Sequence, residues 1–580
     1  MTLYVRIVPS IRTIPGVDQF DYAIEPDDDV RIGDLLRVPF RKKMHVGLCV
    51  STSTTSVHAE KTIVLTTPIV LLRLGKVSVA LLRKTAEHTF TSLPTVLYSW
   101  IRRVPTRKID VSESAVTCRT VKVRRREQQL SLTQRSERLL VDRWEGTRGL
   151  IAEAKKSHER VLILTPWKER ADRLAHLLKT QSLHADLSMT TRWNRVHDFV
   201  TGERRMLVAT RIGAWLSSVA DTVLIDEPEN DDHKQDELAP RIDARWMVEC
   251  AAHARADLRV VSFGTTPRLG ATTPRSSIPD IRADIAIEPW RKRFGSSIEL
   301  LSPNTVQKIE CAVADGRAVT ILHPIRGVRS RVSCHDCGWR ALCASCGWTL
   351  SLGERKTFCK RCGRNADIPL SCPSCGGTDF LRGLPGMEEL RKQCDAAFGP
   401  NRVRVDDMLG FERDTRSLVI ITDLSLLAGA TEDIRRRERL IIAWRRIAAA
   451  CETMHAHLCV QGSEELMGEC RSWLTVDGFT AAWKKECHER RVFGFPPAVR
   501  LVKLLCDGTA DHAQQIVNDL RTSISSDWSV NGPYPVPFRA ATRTPRYVIH
   551  LIGPLGSDPT VYGLPSSVCH IDLDPVAFFG

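Results

Sequence analysis

The sequence has no long uncharged apolar run. Its most apolar stretch, Ile63 to Leu82, is interrupted by Pro68, Arg73 and Lys76. Charges of that kind are costly at a bilayer centre, which excludes a membrane span there and leaves a strand followed by a helix. A secretory signal is missing too: the opening MTLYVRIVPSIR carries an arginine inside its short apolar stretch and has no small-residue cleavage site, so the chain is expected to stay in the cytoplasm. There is no fixed-period repeat and no low-complexity tract. Acidic residues are in the minority, 68 Asp plus Glu against 83 Lys plus Arg, for a net charge of +15. That balance makes a polyanion, nucleic acid first, the partner to consider.

The 580 residues exceed what one hydrophobic core can organise, and 43% hydrophobic with 26% charged residues is the balance of a folded multidomain protein. The first hundred residues alternate apolar and polar positions in short runs (LYVRIVP, DLLRVPF, HVGLCVS) separated by Gly, Pro and Asp, the pattern of a small β-rich domain. A helical stretch from about Val77 to Ile101 closes it. A basic linker follows, with Arg102, Arg103, Arg107, Lys108, Arg119, Lys122, Arg124, Arg125 and Arg126. It reads equally as a solvated connector or a phosphate contact.

Compact apolar strands then alternate with helical patterns: VLILTP at 161–166, MLVAT at 206–210, TVLIDE at 222–227 and RVVSFGT at 259–265, then AVTILH at 318–323 and SLVIITD at 417–423. Such alternation predicts parallel α/β sheets, here two lobes with an insert between strands of the second. From about Phe479 an α+β pattern returns and ends in the strand-like SSVCHIDLD.

The insert holds four Cys-x-x-Cys pairs, Cys334/Cys337, Cys343/Cys346, Cys359/Cys362 and Cys372/Cys375. In a reducing compartment this clustering means metal rather than disulfides. Each pair sets two thiolates on one side of a tight turn, and two turns make the four-sulfur cage Zn²⁺ favours, so eight ligands imply two closed, structural zinc sites. Cys343, Cys346, Cys359 and Cys362 have ordinary ribbon spacing, which leaves Cys334, Cys337, Cys372 and Cys375 for an outer site; sequential or crossed pairing is sterically open as well. The other eleven cysteines, Cys49, Cys250 and Cys506 among them, sit among apolar neighbours and read as small buried hydrophobes.

The insert SCHDCGWRALCASCGWTL, FCKRCG and IPLSCPSCGG, with LRGLPGMEEL after it, resembles the zinc insert of the bacterial PriA family of replication restart proteins, in which the pairing is nested. FDYAIE and GDLLRVPFRKKMHVGLCV resemble that family's domain for binding a DNA 3′ end, and the resemblance assigns DNA contacts to Phe20, Asp21 and Tyr22. ERRVFGFPPAVRLVKLL, NGPYPVPF and HIDLDPVAFF resemble its C-terminal domain.

The helicase motifs of that family are degenerate here. Asp226 and Glu227 stand at the acidic positions of IDEPENDDHKQDELAPRIDAR, and SFGTTPRL resembles the next motif. A phosphate loop needs Gly-rich N–H groups, a lysine and a hydroxyl, yet the expected place reads DRWEGTRGL, Asp142 to Leu150. The arginine-rich final motif appears as RIAAACET, Arg446 to Thr453. Loss of both removes phosphate binding and transition-state charge stabilisation, so ATP and Mg²⁺ are in doubt as cofactors and Asp226 and Glu227 lose their metal task.

The expected fold class is therefore multidomain α/β: a β-rich DNA 3′-end-binding domain over 1–104, a basic linker over 105–134 too short for the family's winged-helix domain, a degenerate RecA-like helicase lobe over 135–275, a second in two parts over 276–330 and 381–478, the two-zinc insert over 331–380, and an α+β C-terminal domain over 479–580. The resemblance implies a restart scaffold that binds forked or branched DNA, works with primosome proteins, the replicative helicase and a single-stranded DNA-binding protein, and contributes binding rather than catalysis. An active ATP-dependent 3′ to 5′ helicase and a zinc-ribbon adaptor in RNA or transcription work are the rival expectations.

Overall fold

The computed structural model describes residues 3–12, 18–40, 43–57, 59, 62–101, 159–236, 239–269, 278–289, 300–325, 332–334, 339, 341–345, 350–352, 356–359, 363–367, 369–378, 380–381, 386–407, 418–428, 434–536, 545–557 and 568–576. The basic linker, Asp142–Leu150, Cys337, Cys346 and Cys362 lie outside them. The chain divides into two compact units, Met1–Ser277 and Ile278–Gly580. No helix among the described residues is long and apolar enough to cross a membrane.

In the first unit, β1 (Leu3–Pro9), β2 (Phe20–Ile24), β3 (Asp34–Phe40), β4 (Lys43–Ser53), β5 (Ile63–Val64) and β6 (Val70–Arg73) form one sheet in the order β5-β2-β1-β4-β3-β6, antiparallel except at β2/β5. The helical stretch expected from Val77 to Ile101 is two helices, Lys76–His88 and Leu93–Trp100. The break has a local cause: Phe90 adopts φ 50°, Ser92 caps the second helix through the Thr95 N–H, and Pro94 opens its first turn.

Next come β7 (Val161–Leu164), β8 (Gln181–Leu183), β9 (Met206–Ala209), β10 (Thr222–Asp226) and β11 (Arg259–Phe263), a parallel sheet ordered β11-β10-β7-β9-β8. β7, β9 and β10 are buried throughout, which is why they read as unbroken apolar runs rather than alternating ones. A single apolar core runs from Leu35, Leu82 and Trp100 of the N-terminal module into Leu164, Phe199, Trp215 and Met247 around this sheet.

The second unit carries β12 (Ile285–Pro289), β13 (Val319–Leu322), β14 (Ser333–Cys334), β15 (Leu350–Leu352), β16 (Thr357–Cys359), β17 (Asn365–Ala366), β18 (Phe380–Leu381), β19 (Val403–Asp406), β20 (Leu418–Ile421) and β21 (His457–Gly462). Its parallel sheet runs β12-β21-β20-β13-β19, so β21-β20-β13-β19 repeats the arrangement of β11-β10-β7-β9. The cysteine segment adds two small antiparallel pieces, β14-β18 and β15-β16-β17. β22 (Arg500–Asp507), β23 (Ser529–Pro535), β24 (Arg546–Gly553) and β25 (Val568–Leu573) close the chain as an antiparallel sheet backed by helix Ala510–Ser523.

Candidate functional site

β2 pairs with β1 so that Arg6 faces Asp21 and Ile7 faces Phe20. Alternation along the strand sends Phe20 and Tyr22 to one face and Asp21 to the other. Tyr22 is a core residue: its phenol is buried, donates to the Pro39 carbonyl at 2.8 Å, and is pushed up to about 12 by burial. Phe20 is half-buried and meets Phe40 edge-on at 4.7 Å, and Phe40 meets His45 at 6.1 Å. Asp21 accepts from Arg6 Nε at 2.8 Å and Ser56 Oγ at 2.7 Å. Its side chain is 9% exposed while that of Arg6 is 45% exposed. That face thus offers a held carboxylate beside a partly exposed guanidinium, while the Phe20 edge lies on the opposite face of the strand. Arg6 and Ser56 were not singled out in the sequence; only the β1/β2 register brings position 6 opposite 21.

A second neighbourhood lies at the C-terminal ends of β7, β8 and β9, the place where open α/β sheets bind ligands. A cleft of about 450 Å³ is lined there by Arg12, Tyr98, Trp167, Lys168, Arg211 and Trp215, with contributions from both the N-terminal module and the parallel sheet. Arg12 lies over the Tyr98 ring at 5.5 Å. Lys168 pairs with Asp186, and Arg211 donates to Gln235 and to the Asp232 carbonyl.

The acidic motif is closed. Asp226 at the end of β10 is fully buried, and Arg170 forks onto it through Nε and through Nη2, the latter 2.8 Å from Oδ1. The Asp226 carbonyl accepts from His233 Nε2 at 2.7 Å. His233 is buried neutral, its imidazole pushed down to about 4 by burial and then by Arg245. Glu227 sits at φ 50°, accepts from Asn230 Nδ2 at 2.9 Å and donates its N–H to the Phe263 carbonyl. Gly264 packs so closely on the loop that a Cβ there would lie 3.2 Å from Glu229 Oε2. With both Asp226 oxygens engaged by a guanidinium, this arrangement does not fit a magnesium–nucleotide site. In the second unit Arg445 is fully buried, donates to the Trp473 and Pro279 carbonyls and lies 4.5 Å over the Phe479 ring. Ile447, Ala448, Ala449, Ala450 and Cys451 of the final-motif segment are core residues of helix Arg436–Met454.

Of the paired cysteines, the Sγ atoms of Cys334, Cys372 and Cys375 lie within 4.8 Å of one another, with Cys334 and Cys375 3.6 Å apart. Cys343 and Cys359 are buried together in a separate cluster with Val332, Ala341 and Leu350. Among the described residues, three of the turns share a backbone bond. Cys334, Cys359 and Cys372 each donate N–H to the carbonyl five residues on, and Gly363 and Gly376, at φ 74° and 77°, donate back to Cys359 and Cys372. These knuckles need glycine because an L side chain resists that φ. Three converging thiols on such turns form a cluster that could bind a metal, compatible with zinc.

Residues 12–101 match the model of the 3′DNA-binding domain (3′BD) of PriA, and residues 144–227 match that of the helicase conserved C-terminal domain. The second match falls on the sheet of the first unit. The chain is similar to the replication restart protein PriA of Haemophilus influenzae, 25% identical over 332 residues, which are 52% of this chain and 42% of that protein. To its Bacillus subtilis counterpart it is 22% identical over 433 residues, covering 63% and 52%. To the probable replication restart protein PriA of Mycobacterium leprae it is 24% identical over 434 residues, covering 67% and 65%. In the Haemophilus case the chain spans less than half of the relative's length. These matches mark the chain as a relative of the PriA-type replication restart proteins.

Proposed function

We propose that this PriA-type chain binds forked or branched DNA at a 3′ end and acts as a restart scaffold, helping primosome proteins to load the replicative helicase without hydrolysing ATP. The match of residues 12–101 to the 3′DNA-binding domain carries the reading. Asp21 accepts a hydrogen bond from a terminal 3′-hydroxyl and repels a terminal phosphate, and Arg6 beside it on the same face attracts the strand's backbone. The aromatic and basic cleft beside Tyr98 and Trp167 supplies a path for a single strand.

In this reading the two parallel sheets are RecA-like lobes that serve as scaffold, an idea supported by their repeated strand order. Cys334, Cys337, Cys372 and Cys375 hold one zinc, and Cys343, Cys346, Cys359 and Cys362 a second. Closed four-sulfur sites keep no position for water, so the metal's contribution is to hold a segment too small for a core of its own. An active 3′ to 5′ helicase is the second reading; the engaged state of Asp226 and Arg445 disfavours it. The test is binding to forked DNA ending in 3′-hydroxyl or 3′-phosphate, with and without ATP. Tighter binding to the hydroxyl end, unchanged by ATP, is expected; equal affinity for both ends, or preference for RNA, overturns the reading.

A further inference from the structure

A carboxylate with no exposed surface at the end of a parallel strand needs a cation, because an isolated buried charge is far costlier than a paired one. Around the loop after β10 the demand is larger than one pair. Asp226, Glu227, Glu229 and Asp243 are all buried, and the buried cations among them are Arg170, Lys234 and Arg245. Arg245 serves Asp243, with Nη2 and Nε at 2.8 and 2.9 Å from its carboxylate, and its Nη1 ties down the Pro228 and Asn230 carbonyls. Arg170 serves Asp226. It comes from the helix Lys168–Leu178 that follows the neighbouring strand β7, and it presents two parallel N–H groups to two carboxylate oxygens. A guanidinium keeps its charge at every physiological pH and fits a carboxylate with a fork no ammonium can match.

From this geometry we infer that Arg170 is a built-in counter-ion occupying, at Asp226, the role a divalent cation would otherwise fill, so that the acidic motif is held in one closed state whether or not nucleotide is present. The inference deepens the reading of a non-hydrolysing scaffold and rests on it. Remove the guanidinium, and four buried carboxylates face two buried cations, Lys234 and Arg245, with the partly exposed Arg268 3.8 Å from Asp243. The cluster then becomes an anionic site that draws a divalent ion, with the carboxylate Arg170 has left, Asp226, as its first ligand.

Mn²⁺ binding to the full zinc-loaded chain tests this, measured by electron paramagnetic resonance without DNA or ATP. The natural chain and its Asp226→Asn variant should take up Mn²⁺ equally. Arg170→Met should gain one Mn²⁺ bound at least tenfold more tightly than by the Arg170→Met, Asp226→Asn double variant. A Mn²⁺ ion held by the natural chain and lost in Asp226→Asn overturns the inference without needing any Arg170 variant to fold. A folded Arg170→Met chain, judged by its melting profile, with no gain in Mn²⁺ overturns it too. Fork binding is read separately on the same preparations. If the natural chain fails to bind forks, the scaffold reading falls while the Mn²⁺ result on Arg170 stands.

Discussion

Trp100 lies face to face with Trp215, their ring centroids 5.5 Å apart and their planes 3° from parallel. One ring belongs to the second helix of the N-terminal module, the other to the segment after β9 of the parallel sheet. A stack of His88 on Trp246 at 3.8 Å and a buried hydrogen bond of 2.7 Å between the Ser78 and Ser218 hydroxyls reinforce the same junction. Module and sheet therefore share a core, so the residues of both that line the cleft are held in one packed body.

Truncating this junction should cost both parts together. Trp215→Ala is expected to destabilise by roughly 3–5 kcal/mol, the usual range for deleting a large buried aromatic ring. Denaturant melts should show loss of the N-terminal β signal and the first α/β signal in one transition; separate transitions would argue against a shared core.

The second prediction concerns 3′-end recognition. A hydrogen bond to a charged acceptor is worth about 1.5–3 kcal/mol, so Asp21→Asn should reduce the preference for 3′-hydroxyl over 3′-phosphate forks by roughly 10- to 100-fold. Arg6→Ala should weaken both ends and lower the salt slope by about one, which Asp21→Asn does not, while also blunting the end preference because Arg6 holds the Asp21 carboxylate. Fluorescence anisotropy over a salt series separates the two effects.

Two zincs per chain are expected by metal analysis. Cys372→Ser should remove one of them and destabilise the segment from Cys334 to Cys375, whereas Cys250→Ser should leave the zinc content unchanged. Cys250 is half-buried, with its thiol pushed up to about 11 by burial, the state of a packed side chain and not of a ligand thiolate.

Acid should destabilise the protein in two separable windows. His233 is held at about 4 by burial and Arg245, below its ordinary 6.5. The unfolded chain binds this proton first, so stability is lost as pH falls from 6.5 toward 4, by roughly 3 kcal/mol over the window. Burial pushes Glu438 up, but Arg435 and Arg490 together outweigh it and hold the carboxyl at about 2. Its contribution is present above 4.5 and lost as pH falls toward 2. Thermal melts of His233→Gln should flatten the first window, and those of Glu438→Gln the second.

Steady-state ATPase with saturating fork DNA should stay at background in both the natural chain and Asp226→Asn. Turnover in the natural chain that disappears in the variant would restore the helicase reading.

Local chemistry was legible from the residues alone. The Cys-x-x-Cys spacing fixes a knuckle whose bonds span only five positions, and the apolar runs at 161–166, 206–210 and 222–227 needed no partner to read as buried strands, because burial on both faces is written into the run itself. Pairings across distance were not legible. The Arg6 contact to Asp21 depends on the register of two strands, Tyr22 turns inward while its neighbour turns out because of which sheet face meets the core, and the repeated order of β11-β10-β7-β9 and β21-β20-β13-β19 has no counterpart in sequence period. Most telling is Arg170. In the sequence it is one more charge at the start of a helix, 56 positions from Asp226. Only the parallel pairing of β7 with β10, which brings that helix over the end of the neighbouring strand, makes it the partner of a buried carboxylate and so decides what the acidic motif can hold.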